Sequence, residues 1–169
     1  MSDLLRLVLN DIKVNPFFKS KVIVVLYRIA HYFSMGPFYL KLLGIPAIFF
    51  YIFLTEWILG VEIHPKTKIG KNFRIFHGCG LVINGYSHIG DDCIVRQGVT
   101  IGNILKKNGE ISGAPKIGSG VEFGANSQVL GDVVIGDFAR IGAGAVVITD
   151  VPSGATAVGV PARVILGRN

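Results

Sequence analysis

Several things are scarce in this chain, and each scarcity removes a class of explanation. Only two of its 169 residues are cysteine, Cys79 and Cys93, and they have no CxxC spacing. That excludes a disulfide scaffold and a thiolate zinc site, and it makes two small buried thiols the expected state. The four histidines lack metal-ligand spacing and the acids are scattered, so no metal site is expected. Acidic residues number 11 against 17 Lys and Arg, a formal charge of +6. The excess suits an anionic ligand or an anionic membrane surface, but it forms no dense basic block. Basic residues are not interleaved with aromatics as base-stacking surfaces require, so no nucleic acid is expected. The start, MSDLLRLVLNDIKVNPFFKSK, places acids inside its apolar stretch and shows no small-residue cleavage site. A cytoplasmic protein is the expectation, with the inner face of the cell membrane as an alternative station.

Apolar residues, in contrast, are abundant, at 50% of the chain with a mean hydropathy of +0.54. They divide into two regions near Gly60. Residues 1–60 read as helical: a short helix over 2–14, an interruption at Pro16, an apolar helix over 19–33 and a turn at Gly36-Pro37. Residues 38–59, FYLKLLGIPAIFFYIFLTEWIL, form the most apolar segment. Its uncharged centre, Leu42 to Thr55, is too short to span a bilayer as a straight helix, and Pro46 is expected to kink it. Three occupations stay open for it: a helix buried in an oligomer, an interfacial membrane attachment, or a re-entrant or spanning hairpin.

Residues 61–152 keep a period of six. A branched or large apolar residue returns at Ile63, Ile69 and Ile75, then at Ile83, Ile89, Val95 and Ile101. It resumes at Ile117, Phe123, Val129, Ile135, Ile141 and Val147. Neither a helix nor a plain strand has that period. A coil of three short strands per turn does, with roughly 18 residues per turn and four to five turns. The branched residues point inward and stack, while Gly, Asn, Asp and Ser serve the corners. Residues 153–169 read as a C-terminal tail. The period breaks twice, by a two-residue slip between Ile75 and Ile83 and by an insertion over 102–116. Such breaks in solenoids tend to mark the working edge.

His77 lies beside the slip and is the candidate general base. Glu62 precedes it by close to one turn of the coil, which suggests a carboxylate stacked against the ring to fix its tautomer. His64 is placed to support the first turn or the same pair. His88 reads as a solvent-facing corner residue, and His31 has no partner nearby in sequence. Lys106, Lys107 and Lys116 in and beside the insertion, with Arg140, Arg163 and Arg168, are candidates for an anionic cofactor. Small-residue corners near Asn103, Ala125 and Ala143 suit an amide-rich arm.

Four phrases carry a resemblance over about Ile52 to Val164: VEIHPKTKIGKNFRIFHGCG, IVRQGVTIGN, PKIGSGVEFGAN and IGAGAVVITDVPSGATAVGVPAR. The chain resembles the left-handed parallel β-helix acyltransferases of hexapeptide repeats, in the serine O-acetyltransferase branch and its relatives in exopolysaccharide and colanic acid biosynthesis. The resemblance implies a left-handed β-helix after a short apolar α-helical region, acetyl-CoA as donor, and a homotrimer with cofactor grooves between subunits. It implies His77 as base and Glu62 as its orienting acid, and it places Asn103, Ala125, Arg140 and Ala143 on the cofactor groove.

Two departures follow from the same comparison. Phe76 stands where serine transferases carry an aspartate, and Gly113-Ala114 where they carry Arg-His. A pocket without those charges lacks the partners of serine's ammonium and carboxylate. The expected function is therefore acetyl transfer to a saccharide hydroxyl in exopolysaccharide or capsule synthesis, by direct attack on the thioester with a backbone N–H at the oxyanion. The alternative is serine O-acetylation in cysteine biosynthesis. A non-enzymatic repeat scaffold, or a relative of the γ-carbonic anhydrases, is the third reading.

Overall fold

The structure is a computed structural model describing residues 2–166. Three helices come first: α1 (Ser2–Val14), α2 (Phe18–Met35) and α3 (Phe38–Ile52). A π-helical segment, Phe53–Ile58, continues α3 directly. The described residues then carry fifteen short strands in chain order; β1–β14 wind into a parallel β-helix of about five turns, and β15 folds back antiparallel on β14.

Each turn visits three sheets. The first holds β1 (Val61–Ile63), β4 (Leu81–Ile83), β7 (Thr100–Gly102), β10 (Gln128–Leu130) and β13 (Val146–Val147). The second holds β2 (Lys68–Ile69), β5 (His88–Ile89), β8 (Lys116–Ile117) and β11 (Val134–Ile135). The third holds β3 (Arg74–Phe76), β6 (Ile94–Arg96), β9 (Glu122–Phe123), β12 (Arg140–Ile141), β14 (Thr156–Gly159) and β15 (Ala162–Ile165). The stretch expected as a tail thus carries two strands, and Ala157 sits in register with Ile141.

The six-residue period is the inward column of each sheet. Ile63, Ile83, Ile101, Val129 and Val147 lie in register on one face. Ile69, Ile89, Ile117 and Ile135 do so on the second, and Ile75 with Val95 and Phe123 with Ile141 on the third. All are buried. Each such side chain contributes about 1.5–3 kcal/mol, which no single turn could gain alone.

A parallel β-helix ends in a row of unpaired backbone groups, and burying them unsatisfied is costly. Here the helices supply the partners. Asn15 receives the Ile75 N–H at 2.9 Å and donates to the Phe73 carbonyl at 2.7 Å. Ser20 donates to the Ile75 carbonyl at 2.6 Å, Tyr27 to that of Thr67 and Tyr51 to that of Ile63, both at 2.5 Å. Arg28 reaches the Ile69 and Gly70 carbonyls and pairs with Asp11 at 2.7 Å, with both side chains buried. Asp11 also accepts the Phe73 N–H. Burial pushes the Asp11 carboxyl above its ordinary range, against the pull of Arg28. His31 donates through Nδ1 to the Pro65 carbonyl at 2.8 Å. The helical layer is therefore a lid on the first coil, tied down by one polar stripe.

Two sequence expectations need correction. The segment read as too short to span belongs to a longer helix: α3 continues past Pro46 to Ile58, giving 21 continuous helical residues of span-like length and apolarity. His88 is an exposed strand residue of β5, rather than a corner.

Candidate active site

Coil length explains where the site falls. In turns of ordinary length Val82 pairs with Thr100, and Gln128 with Val146. Val61 pairs with Leu81, so the first turn holds two positions more than these. The surplus lies at one corner. Phe76 is in register with Arg96, and the Gly98 N–H donates to the Cys79 carbonyl at 2.9 Å, so Cys79-Gly80 overlies Gln97-Gly98. His77-Gly78 is left over as a two-residue insertion. Both residues have positive φ, 65° and 46°. Gly78 turns inward, where an added Cβ would lie 3.1 Å from Ile75 Cγ2 and 3.4 Å from Ile23 Cδ1. A left-handed histidine costs about 1–3 kcal/mol and is sustained only where its surroundings fix it. The slip is thus a small outward step of the backbone that presents His77 to solvent.

An aromatic wall stands beside it. The Phe17 ring, from the junction of α1 and α2, lies 5.0 Å from the His77 ring at 33°. Phe17 meets Phe76 edge-on at 6.2 Å, and the Arg96 guanidinium lies 5.1 Å from the Phe76 ring centroid. Such a surface offers stacking and one cation, with no carboxylate among its members. Sequence reasoning overlooked Phe17, because its approach depends on how the lid docks. Its one signal was an aromatic pair directly after the helix-breaking Pro16.

Glu62 is exposed on β1, and its partner one turn on is Val82, so it does not stack beneath His77. A full turn from Glu62 runs past the His77 corner and ends on β4, so His77 comes before the turn is complete. Glu62 instead lies in register with the strand that follows the His77 corner. Gly80 donates its N–H to the Gly60 carbonyl at 2.7 Å, which folds the His77 corner onto the entry to β1. No hydrogen bond or ion pair joins Glu62 to His77 among the described residues. His64 follows β1; its Nδ1 accepts the Lys66 N–H at 3.1 Å, and burial together with Lys66 lowers its pKa. Cys79 is exposed, contrary to the expected buried thiol, because it occupies the lengthened corner. Cys93 is buried, which pushes its thiol up to about 11.

The cofactor candidates occupy two edges of the prism. Ala125 and Ala143 lie on the His77 edge, one above the other, with the Gly144 N–H donating to the Ala125 carbonyl at 2.9 Å. A Cβ added at Gly144 would meet nothing within 4 Å, so this edge is open to a narrow chain. Arg140 and Arg163 are exposed on the third sheet, in register with Thr156 and Val158 of β14. Asn103 and Lys116 flank the next edge, where Gln128 pairs with Thr100 across the coil that holds the insertion. The inserted loop there carries Lys106 and Lys107, closes on the Leu105–Ile111 bridge and is almost wholly exposed. Arg168 lies outside the described residues. The small-residue edge with its nearby arginines fits an amide-rich, phosphate-bearing arm such as that of CoA. One chain brings Ala125, Ala143 and Arg163 to that edge; Asn103 and Lys116 belong to another.

Comparisons with known proteins bear on the fold and the reaction class. Residues 114–149 match the family "Bacterial transferase hexapeptide (six repeats)". The colanic acid biosynthesis acetyltransferase WcaB of Escherichia coli K12 is 39% identical over 160 residues, spanning 92% of this chain and 97% of that one. The chain belongs to the hexapeptide-repeat acetyltransferases. A serine acetyltransferase of Synechococcus elongatus is 41% identical over 156 residues, covering 92% of this acetyltransferase but 61% of its relative. The Neisseria gonorrhoeae serine acetyltransferase superposes with a TM-score of 0.82 at 33% identity, over 98% of this chain and 68% of that one. A serine acetyltransferase in complex with CoA superposes at 0.81, with 30% identity over 97% and 70% of the two chains.

Proposed function

We propose that this acetyltransferase moves an acetyl group from acetyl-CoA to a saccharide hydroxyl, as in exopolysaccharide or capsule synthesis, with His77 as general base. The observation that carries the acceptor class is the wall of Phe17 and Phe76 beside His77. Pyranose rings present apolar C–H faces that pack on aromatic rings, whereas serine asks for paired charges. The name of the WcaB relative points the same way.

In the proposed reaction the neutral His77 ring takes the acceptor hydroxyl proton as the oxygen bonds to the acetyl carbonyl carbon. The carbon–sulfur bond breaks, the thiolate leaves, and the proton passes from His77 to sulfur. Glu62 is a positioning residue that steadies the imidazolium. CoA would lie along the Ala125–Ala143 edge with Arg140 and Arg163 toward its phosphates, and Asn103 and Lys116 of an adjacent copy would form the other wall. That arrangement requires a homotrimer or another closed ring, since the two edges of one prism face different directions.

Serine O-acetylation is the second reading, supported by the close serine acetyltransferase structures. An acceptor screen separates the two. Free thiol release from acetyl-CoA is followed with serine, nucleotide sugars and oligosaccharides side by side. Turnover with a saccharide and none with serine is expected; robust serine turnover overturns the saccharide assignment.

A further inference from the structure

We propose that the outer face of the helical lid docks on an anionic lipid bilayer, independently of which acceptor the enzyme uses. The inner stripe of α2 is committed to the first coil through Ser20, Tyr27, Arg28 and His31. Its opposite side therefore points away from the β-helix. That side opens into an apolar groove of about 460 Å³ lined by Ile12, Phe18, Val22, Leu26, Phe50 and Leu54, drawn from all three helices. Beyond it, α3 and its π-helical extension are buried along a single stripe through Gly44, Tyr51 and Thr55. Much of the remainder is exposed: Phe38 is 80%, Phe49 70% and Trp57 81% exposed. Phe18, at the start of α2, is 82% exposed. Soluble chains do not leave such a surface uncovered.

Charge decides between the candidate covers. Arg6, Lys13, Lys21 and Lys41 of this layer make no ion pair among the described residues, and Lys66 stands where the layer meets the coil. Against them stand Asp3 and Glu56, and burial and nearby Glu62 raise the Glu56 carboxyl above its ordinary value. A second copy docked face to face would oppose one basic rim to another, which is repulsive. Anionic headgroups meet the same rim with opposite charge, and each lysine near such a surface adds to the attraction. A second pocket, about 410 Å³, has Ile45, Ile48 and Ile52 as one wall and Lys41, Lys66, His64 and Ser34, with the single carboxyl of Glu56, as its polar side. Its chemistry suits a lipid phosphate whose tail continues over α3. Aromatic rings beside lysines at the ends of the apolar face match an interfacial helix.

The test is co-flotation of the full chain with vesicles of phosphatidylcholine alone or with about a third phosphatidylglycerol. Binding to the anionic vesicles is expected, several-fold weaker to the neutral ones and weakened by about 0.5 M salt, since screening shortens such attraction. The variant Leu42→Ser/Phe49→Ser/Trp57→Ser should stay with the soluble fraction while keeping its circular dichroism and acetyl transfer. Lys21→Glu/Lys41→Glu should lose the preference for anionic vesicles. Failure of the unmodified chain to float with anionic vesicles overturns the proposal. So does a doubled oligomer mass that the triple serine variant abolishes without any vesicle binding.

Discussion

The proposed chemistry centres on His77. It occupies an insertion, its backbone is left-handed, and an aromatic wall stands beside it. His77→Ala is expected to lower acetyl transfer by about 10²–10⁴-fold with little change in CoA affinity or thermal midpoint, because the ring faces solvent. Undiminished turnover in a single-turnover assay would remove it from the base role. Glu62→Gln should cost less and shift the acidic limb of the pH–rate profile, as loss of a positioning carboxylate does. Other histidines act on stability instead. His31 and His64 both titrate below their ordinary value, His31 chiefly through burial. Above about pH 6.5 they are neutral in folded and unfolded chains alike and make no difference. As pH falls below that, the unfolded chain takes up protons that the folded chain resists, and stability drops until the folded values are passed. Urea midpoints between pH 7.5 and 5.5 should fall, and His31→Gln/His64→Gln should flatten that fall.

At the scale of elements, the parts that were legible in the sequence are those set by local repetition. Inward columns such as Ile63–Ile83–Ile101 follow directly from the period, and the slip coincides with the lengthened corner that carries His77. What stayed hidden depends on long-range docking. The spacing of Glu62 to His77 misled because it falls short of a turn: an ordinary turn already runs past His77, and the insertion lengthens this one further, bringing Glu62 into register with Val82. Asn15, Ser20, Tyr27 and Arg28 close the β-helix by bonding to the first coil between 40 and 60 residues away. A polar stripe at helical spacing through an apolar helix was their only trace. Arg28→Ala should destabilise the chain by about 3–5 kcal/mol in urea unfolding, since it strands the buried Asp11 carboxyl and two carbonyls. A loss under about 1 kcal/mol would show that the lid is not held by this pair. The insertion is different. Removing residues 104–113 returns the third turn to the length of the turns beyond it, so the shortened chain should fold with a nearly unchanged midpoint. Its acetyl transfer should fall through a raised KM for acetyl-CoA.

At the scale of the whole molecule, the separation of the candidate residues becomes an argument about assembly. His77, Ala125 and Ala143 line one edge of the prism, whereas Asn103, Lys116 and the inserted loop belong to the next. A straight β-helix cannot bend these edges together, because its stacked columns make it rigid. Under the proposed reading, in which both edges hold one CoA, another copy must bring the second edge to the first, and a closed ring of three would do so at every interface with one repeated contact. Light scattering should then give three times the chain mass. Complementation tests the sharing of the site. His77→Ala chains keep the loop and lose the base, while loop-deleted chains keep the base and lose the wall. Each alone should be nearly inactive. Unfolded together in equal amounts and refolded, random assembly places an intact base against an intact loop at roughly a quarter of the interfaces. Recovery near that fraction of the unmodified rate establishes a shared site; no recovery, with mixed trimers demonstrated by differential tags, would mean that each chain builds its site alone.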